Sequence, residues 1–216
     1  MKKRLAAEFL GTFGIVFAPC AASAAGHLAG GDSSILAAAL ASGLSVTAMI
    51  HALGHVSGDF NPAVTLGFAS VGRRTWREVG PFVLAQIAGA LCAAALVRGL
   101  FGTGAWGTHT FAGSPLQALG MEATLTFFLM LVILGSATDE RATKGFAGLA
   151  IGLWVVAAIF LGGPVTGGSM NPARSLGPAL ISGGAALGSW WVYALGPVLG
   201  AVLAARLYEM LRAQTP

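Results

Sequence analysis

Long apolar stretches alternate with short polar segments along almost the whole chain of 216 residues. Each stretch has close to the roughly 20 residues that a helix needs to cross a ~30 Å hydrocarbon core. The pattern predicts six transmembrane helices, at residues 5–25, 35–53, 81–97, 116–137, 145–161 and 190–211. Two further apolar segments, 62–70 and 172–181, are too short to cross a bilayer and predict half-membrane, re-entrant helices.

Composition agrees with a membrane protein. Hydrophobic residues make up 56% of the chain and charged residues only 9%, whereas a soluble domain carries about a quarter charged residues. The 32 glycines fit helices that approach one another closely in lipid, where small residues form the contacts. We therefore predict an all-α membrane protein of six transmembrane helices and two re-entrant half-helices.

The formal net charge of +4 is compatible with nucleic-acid binding, but the positions of the basic residues indicate a different partner. Six alternating spans put all of them except Arg98 and Arg174 near one side, which the positive-inside rule identifies as the cytoplasm. We expect a multi-pass protein of the plasma or bacterial inner membrane with both termini cytoplasmic, bound to lipid and not to nucleic acid. The residues concerned are Lys2, Lys3, Arg4, Arg73, Arg74, Arg77, Arg141, Lys144, Arg206 and Arg212.

The start of the chain and its two cysteines have simple interpretations. Residues 1–4 followed by an apolar run resemble a signal peptide, but the run is long, carries Glu8 and lacks a convincing cleavage site. Cys20 and Cys92 lie inside predicted spans with no partner or metal-ligand spacing nearby. We interpret both as buried small apolar residues and predict no metal or cofactor.

The two halves of the chain, 1–110 and 111–216, repeat one design within a single channel domain. Residues 57–67 resemble residues 166–177, and each copy contains Asn-Pro-Ala between the second and third spans of its half. Three spans per half is an odd number, so the second half inserts upside down. The repeated motif consists of Asn61, Pro62 and Ala63 in the first half and Asn171, Pro172 and Ala173 in the second.

Each motif is well suited to start a helix inside the membrane, because Asn is a good N-cap and Pro loses no hydrogen bond at the first helical position. Glycines before each motif permit non-helical backbone, which is tolerated at membrane depth only where it faces protein or water. We therefore expect this backbone to line a pore. The glycines are Gly54, Gly58, Gly162, Gly163, Gly167 and Gly168, and the expected pore-lining backbone is that of Gly54, His55, Gly58 and Gly167.

Inverted insertion makes the N-termini of the half-helices meet near the midplane. Each carries roughly +0.5 of an elementary charge, so together they repel cations. If the side-chain oxygens of Asn61 and Asn171 cap their own helices, the amide groups are free to donate to a passing oxygen and so interrupt a proton wire. We predict a passive channel for water and small uncharged solutes that excludes ions and protons.

Three ionisable residues lie within the apolar segments. Arg174 is a candidate for the pore because a charge there must face an aqueous path; an internal salt bridge with Glu122 or Glu8 is the alternative. Glu8 and Glu122 occupy equivalent places in the two halves. We interpret both as structural acceptors for the loop backbones, with a proton-relay role as the alternative.

These motifs, with the start Ala-Glu-Phe-Leu-Gly-Thr-Phe at 7–13 and Gly-His-Val-Ser-Gly at 54–58, resemble the major intrinsic (aquaporin) protein family along nearly the whole chain. The resemblance implies the six-span fold with two half-helices, a homotetramer with one pore per subunit, and passive transport. It also implies a four-residue selectivity filter at Ser42, Ile159, Gly168 and Arg174. Ser42 stands where water-selective members have Phe, and Ile159 where they have His, so a wider and less polar constriction is expected.

Further resemblances bear on the solute. Residues 163–171 look like the loop of nodulin-like plant channels and related bacterial proteins, some of them metalloid-permeable, so arsenous acid, glycerol or urea are expected solutes. Ser175 departs from the Asp of glycerol facilitators, and a mainly water-conducting aquaporin is the alternative.

The first loop is one residue shorter than the second. This places Asp59 near the cytoplasmic approach, where it binds an arginine such as Arg73, alters solute entry, or is simply solvated. His51 and His55 have either a gating role through protonation or a packing role.

Two other functional classes fit less well. A secondary transporter also uses inverted repeats and broken helices, but it needs an ion site or proton relay, and the spans offer few ionisable groups. No cluster of nucleophile and base is evident in the sequence, so we do not predict an enzyme.

Overall fold

The structure is a computed structural model that describes residues 1–31 and 34–213. Within these residues the chain folds into eight α-helices, without a β-strand. A π-helical turn, Leu134–Thr138, continues the fifth helix. The helices are α1 Lys2–Leu28, α2 Ile35–Leu53, α3 Pro62–Ser70, α4 Trp76–Phe101, α5 Pro115–Ile133, α6 Ala147–Thr166, α7 Pro172–Ser182 and α8 Gly184–Ala213.

Six of these helices are long and apolar enough to cross a membrane, and α3 and α7 are the two short ones. The predicted all-α, multi-pass membrane fold is therefore confirmed. Helix α1 packs on α4 within the first half, and α5 packs on α8 within the second half. The two halves are joined by α2, which packs on α6. Each half-helix also contacts the last helix of the other half, α3 against α8 and α7 against α4.

Glycines allow these helices to approach closely. A Cβ added to Gly200 on α8 would lie 2.0 Å from the carbonyl oxygen of Ala123 on α5. A Cβ on Gly152 of α6 would lie 2.5 Å from the carbonyl oxygen of Gly43 on α2. Both distances are too short for any larger side chain, so backbone-to-backbone contact takes the place of the interdigitated side chains of a soluble core.

Two details differ from the sequence-based expectations. Residues Gly162 and Gly163 do not form irregular backbone, because α6 continues through them to Thr166 and ends at Gly167, whose φ is +84°. In an apolar environment a helix satisfies its backbone groups, and the Gly167 N–H still reaches the Gly163 oxygen at 3.1 Å.

The interpretation of Cys92 as buried is wrong: Cys20 is buried but Cys92 is exposed. The sequence of an apolar helix does not reveal which of its faces meets lipid.

Candidate functional site

The two half-helices begin at the paired asparagines. Asn61 Oδ1 accepts a hydrogen bond from Ala63 N at 2.9 Å. Asn171 Oδ1 accepts from Ala173 N at 3.0 Å and from Arg174 N at 3.2 Å. Both side chains therefore cap their own helices, and both residues line the same cavity.

The amide groups of the two asparagines cross between the halves. Asn61 Nδ2 donates to the Met170 carbonyl oxygen at 2.8 Å, and Asn171 Nδ2 donates to the Phe60 carbonyl oxygen at 2.9 Å. These bonds differ from the expectation that both amide groups are free for passing solutes. Because an amide carries two N–H groups and one is used for the crossing bond, each asparagine has a single N–H left to offer.

The residues that accept these bonds have unusual backbone conformations. Phe60 and Met170 have φ values of +48° and +54°, in the left-handed region that side chains with a Cβ rarely occupy. Such a conformation costs about 1–3 kcal/mol and persists only where the surroundings enforce it. It turns each carbonyl toward the opposite asparagine.

Two buried carboxylates enforce that conformation. Glu8 accepts from Asp59 N at 3.0 Å and Phe60 N at 2.7 Å, and Glu122 accepts from Ser169 N at 3.0 Å and Met170 N at 2.8 Å. Both glutamates are fully buried. Glu8 also accepts hydrogen bonds from the side chains of Ser57 and Gln86.

These contacts align the two loops residue by residue. Asp59 occupies the place of Ser169, since each donates its N–H to the Oε1 atom of its glutamate. The shorter loop has one glycine, Gly58, where the longer loop has Gly167 and Gly168, both with positive φ. The missing residue is therefore one of two glycines, and the hydrogen bonds from the loop N–H groups to each buried glutamate are preserved. We call this arrangement of a glutamate and the two N–H groups before each Asn-Pro-Ala turn the carboxylate cradle.

The lumen is a cavity of about 90 Å³ that runs along the asparagines. One wall consists of the loops. Helices α2 and α6 form a second, largely apolar part of the lining, where each helix presents side chains at four-residue spacing and so from one face. These residues are Ala38, Ser42, Val46 and Ile50 on α2 and Ile151, Val155 and Ile159 on α6.

The four residues expected to form the selectivity filter all line this lumen. Ser42 and Ile159 are buried on α2 and α6, and a Cβ on Gly168 would lie 3.2 Å from the Ile159 Cα. Arg174 Nη1 donates to the Gly107 carbonyl oxygen at 2.6 Å. Within the described part of the chain Arg174 forms no salt bridge with either buried glutamate.

No sequence pattern singled out His109, which lies in the loop between α4 and α5 and lines the lumen. Its Nδ1 lies 2.9 Å from Ser175 Oγ, and its ring packs on Tyr193. Burial, with the charge of Arg174, holds the pKa of His109 well below its ordinary value. Its one distinguishing feature in the sequence is that it is the only ionisable residue of this loop, and the sequence does not show that the loop folds into the pore.

The pore-lining backbone only partly follows the expectation. Gly58 and Gly167 line the lumen, and Gly54 lines a wider vestibule at one end. His55 is exposed and borders neither of these two cavities. The His51 ring nitrogens lie 2.8 Å from the Thr47 oxygen and 3.3 Å from the Gly145 oxygen, so His51 connects α2 with the segment before α6.

The vestibule has a volume of about 900 Å³, and its wall carries five basic and three acidic residues. Asp59 lies at its inner edge and binds Arg74, with 2.7 Å between Oδ1 and Nη2. Arg73, the partner named in the sequence analysis, instead binds Glu209. Asp59 is buried and is not a solvated loop charge. The basic residues of the wall are Arg4, Arg73, Arg74, Lys144 and Arg212.

Comparisons with known proteins agree with this geometry. The family model of the major intrinsic proteins matches residues 1–208. Aquaporin NIP1-3 of Oryza sativa subsp. japonica is 45% identical over 97% of this chain and 74% of its own length. Nodulin-26 of Glycine max is 42% identical over 97% and 78%. The X-ray structure of the aquaglyceroporin from Plasmodium falciparum superposes with a TM-score of 0.88 at 26% identity, covering 98% of this chain and 96% of that one.

Proposed function

The chain belongs to the major intrinsic protein family and is a transmembrane channel for water and small solutes, and within that class we propose that it passes neutral solutes larger than water. The solutes are small hydroxylated or amide compounds such as glycerol, urea and arsenous acid. Ions and protons are excluded. The channel is passive and non-enzymatic.

One observation carries the proposal: the three residues expected to form the selectivity filter together with Arg174 are small or apolar. Ser42, Ile159 and Gly168 line the lumen beside it, so no aromatic or imidazole ring from those three positions narrows the passage. The lumen is lined by a largely apolar wall from α2 and α6 and by residues of the two loops. A polyol fits such a passage because its carbon edge contacts the apolar wall while its hydroxyl groups bind the polar one.

Exclusion of cations is supported by charge. The N-termini of α3 and α7 meet where Asn61 and Asn171 cross-link the loops, which adds two positive dipole ends at one place. Arg174 adds a full positive charge to the same lumen. A cation therefore meets repulsion along the passage, whereas a neutral solute meets hydrogen-bond donors.

We also propose a homotetramer with one pore per subunit, and both termini in the cytoplasm. Orientation is supported by the five basic residues in the vestibule wall, since basic residues favour the cytoplasmic side. The large exposed leucines on several helices, among them Leu84, Leu153 and Leu203, provide apolar surface for lipid and for neighbouring subunits.

The test is a permeability series in proteoliposomes. Water, glycerol, urea and arsenous acid fluxes are measured by stopped-flow light scattering, or by vesicle uptake for arsenous acid, against empty vesicles. We expect all four to be accelerated, with no pH change inside vesicles that contain a pH dye. Acceleration of water alone would replace the proposal with a mainly water-conducting channel.

A further inference from the structure

Five residues line both the narrow lumen and the wide vestibule, so they surround the opening between them. Three are isoleucines, one each from α2, α5 and α6, and two belong to the first re-entrant loop. We call this ring the inner neck. It consists of Ile50, Ile133, Ile151, Gly58 and Asp59.

Asp59 is the only ionisable residue of the inner neck. Its Oδ2 accepts from Thr65 Oγ1 at 2.8 Å, and its Oδ1 accepts from Arg74 Nη2 at 2.7 Å. An ionised carboxylate offers about four acceptor sites, so these two contacts leave acceptor capacity on a residue that borders both cavities. Arg74 offsets the negative charge, so the neck does not become a site for cations.

Gly58 of the inner neck is the counterpart of Gly168 of the selectivity filter in the inverted repeat. Asp59 takes the place of Ser169, and Val64, three residues after its asparagine, takes the place of Arg174. The hydroxyl contact is repeated too, because Thr65 binds Asp59 as Ser175 contacts Ser169. The outer end therefore presents a cation that donates hydrogen bonds, and the inner end a carboxylate that accepts them.

From this juxtaposition we infer that the inner neck is a second selectivity site, in which the Asp59 carboxylate accepts hydrogen bonds from the hydroxyl groups of permeating neutral solutes. The inference rests on the proposed function and adds the group that recognises the solute at the inner end. A polyol in the neck has lost most of its hydration. The carboxylate replaces acceptors that water supplied, while Ile50, Ile133 and Ile151 contact its carbon edge.

The experiment compares the glycerol-to-water permeability ratio of proteoliposomes containing the wild-type channel or single variants. Asp59→Ala removes the acceptor, and we expect the ratio to fall about tenfold, since a charged hydrogen bond is worth at least this factor. Asp59→Asn retains a carbonyl acceptor and should recover most of the ratio. Asp139→Asn is the matched control, because Asp139 also pairs with an arginine, Arg141, but is not part of the neck.

Arg74→Gln separates binding from positioning. It breaks the buried ion pair with Asp59, which costs stability, but it leaves a carboxyl group with acceptor oxygens in the neck, so the glycerol-to-water ratio of the folded channel should stay within about twofold of the wild type. If Asp59 acted only by holding Arg74, both Arg74→Gln and Asp59→Ala would lower the ratio equally, and the inference would be overturned. Water permeability and the elution profile of each variant show whether the channel is intact.

The remaining outcomes are distinct. A wild-type channel that passes glycerol, with an unchanged ratio in Asp59→Ala, overturns the inner-neck inference and leaves the proposed function standing. A higher ratio in Asp59→Ala also overturns it, because the carboxylate would then be an obstacle. A wild-type channel that passes water but not glycerol overturns both.

Discussion

The carboxylate cradle of the second loop gives a prediction that can be worked out from distances. Glu122→Gln keeps the side-chain volume but leaves one acceptor for the two N–H groups of Ser169 and Met170, which now bind at 3.0 and 2.8 Å. The amide nitrogen of the new side chain would face an N–H donor. One loop N–H, fully enclosed by protein, would therefore lose its partner.

The size of the effect follows from competing contributions. Leaving a buried donor unpaired costs about 1–3 kcal/mol, and more when the lost acceptor is charged. The left-handed Met170, φ +54°, is then free to relax about 1–3 kcal/mol of strain, and the substitution removes a buried charge whose desolvation opposes folding. Both effects offset the loss, so we expect a net destabilisation of about 2 kcal/mol, or about 4–8 °C in melting temperature for a chain of this size.

Function should be affected more than stability. A relaxed Met170 turns its carbonyl away from Asn61 Nδ2, which now donates to it at 2.8 Å, and an asparagine without that bond no longer holds its fixed place in the lumen. We expect water permeability of Glu122→Gln proteoliposomes to fall several-fold, measured by stopped-flow light scattering beside thermal melts in detergent.

A matched control is Glu209→Gln, which also removes a carboxylate but at the partly exposed pair with Arg73. Such a pair contributes about 0–1 kcal/mol, so the melting temperature of this variant should stay within about 4 °C of the wild type. If Glu122→Gln melted with the control and conducted water at the wild-type rate, the cradle would not be what holds the second loop.

Three further predictions concern the filter, the packing and pH. Ser42→Phe with Ile159→His should suppress glycerol far more than water, and a proportional fall in both fluxes would contradict the filter assignment. Gly200→Val should prevent folding, because its Cβ would lie 2.0 Å from a carbonyl oxygen of α5, whereas Gly99→Val, with nothing within 4 Å, should fold. The depressed pKa of His109 keeps it neutral, so water flux should be flat between about pH 5.5 and 8. Below about pH 6.5 the unfolded chain binds a proton at this histidine and the folded chain does not. The melting temperature should therefore decrease as the pH is lowered through that range, and the decrease should be smaller in His109→Gln.

Much of the fold could be predicted because a transmembrane helix is recognisable from the length of its apolar stretch. Helix α2 has the predicted bounds, and α3 begins and ends where expected. Helix α4 extends beyond the predicted span at both ends, to Trp76–Phe101. Hydropathy excludes the charged first turn that includes Arg77 and Glu78, although a helix continues into the polar interface as long as its backbone bonds remain satisfied.

The interior of the pore was less predictable, because it depends on contacts between distant segments. The left-handed Phe60 and Met170 have no signature in single-sequence propensity, since side chains of their type disfavour positive φ. His109 enters the lumen only because Gly107, at φ +67° and with Cys20 Sγ 2.4 Å from where a Cβ would be, lets the loop pass close to α1. That contact joins residues far apart in sequence.

The arrangement of the two loops explains how one repeated scaffold can have chemically different ends. Each loop needs the same three elements around its asparagine: a buried glutamate, a left-handed residue and a carbonyl that accepts the opposite amide. None of these depends on the residues on either side, so Asp59 can stand where the other loop has Ser169, and Arg174 where this one has Val64. Loss of one glycine is tolerated for the same reason, because it falls before the cradle begins. The Asn-Pro-Ala turns therefore hold an equivalent backbone path in both halves, while side chains that the cradle does not use are free to differ.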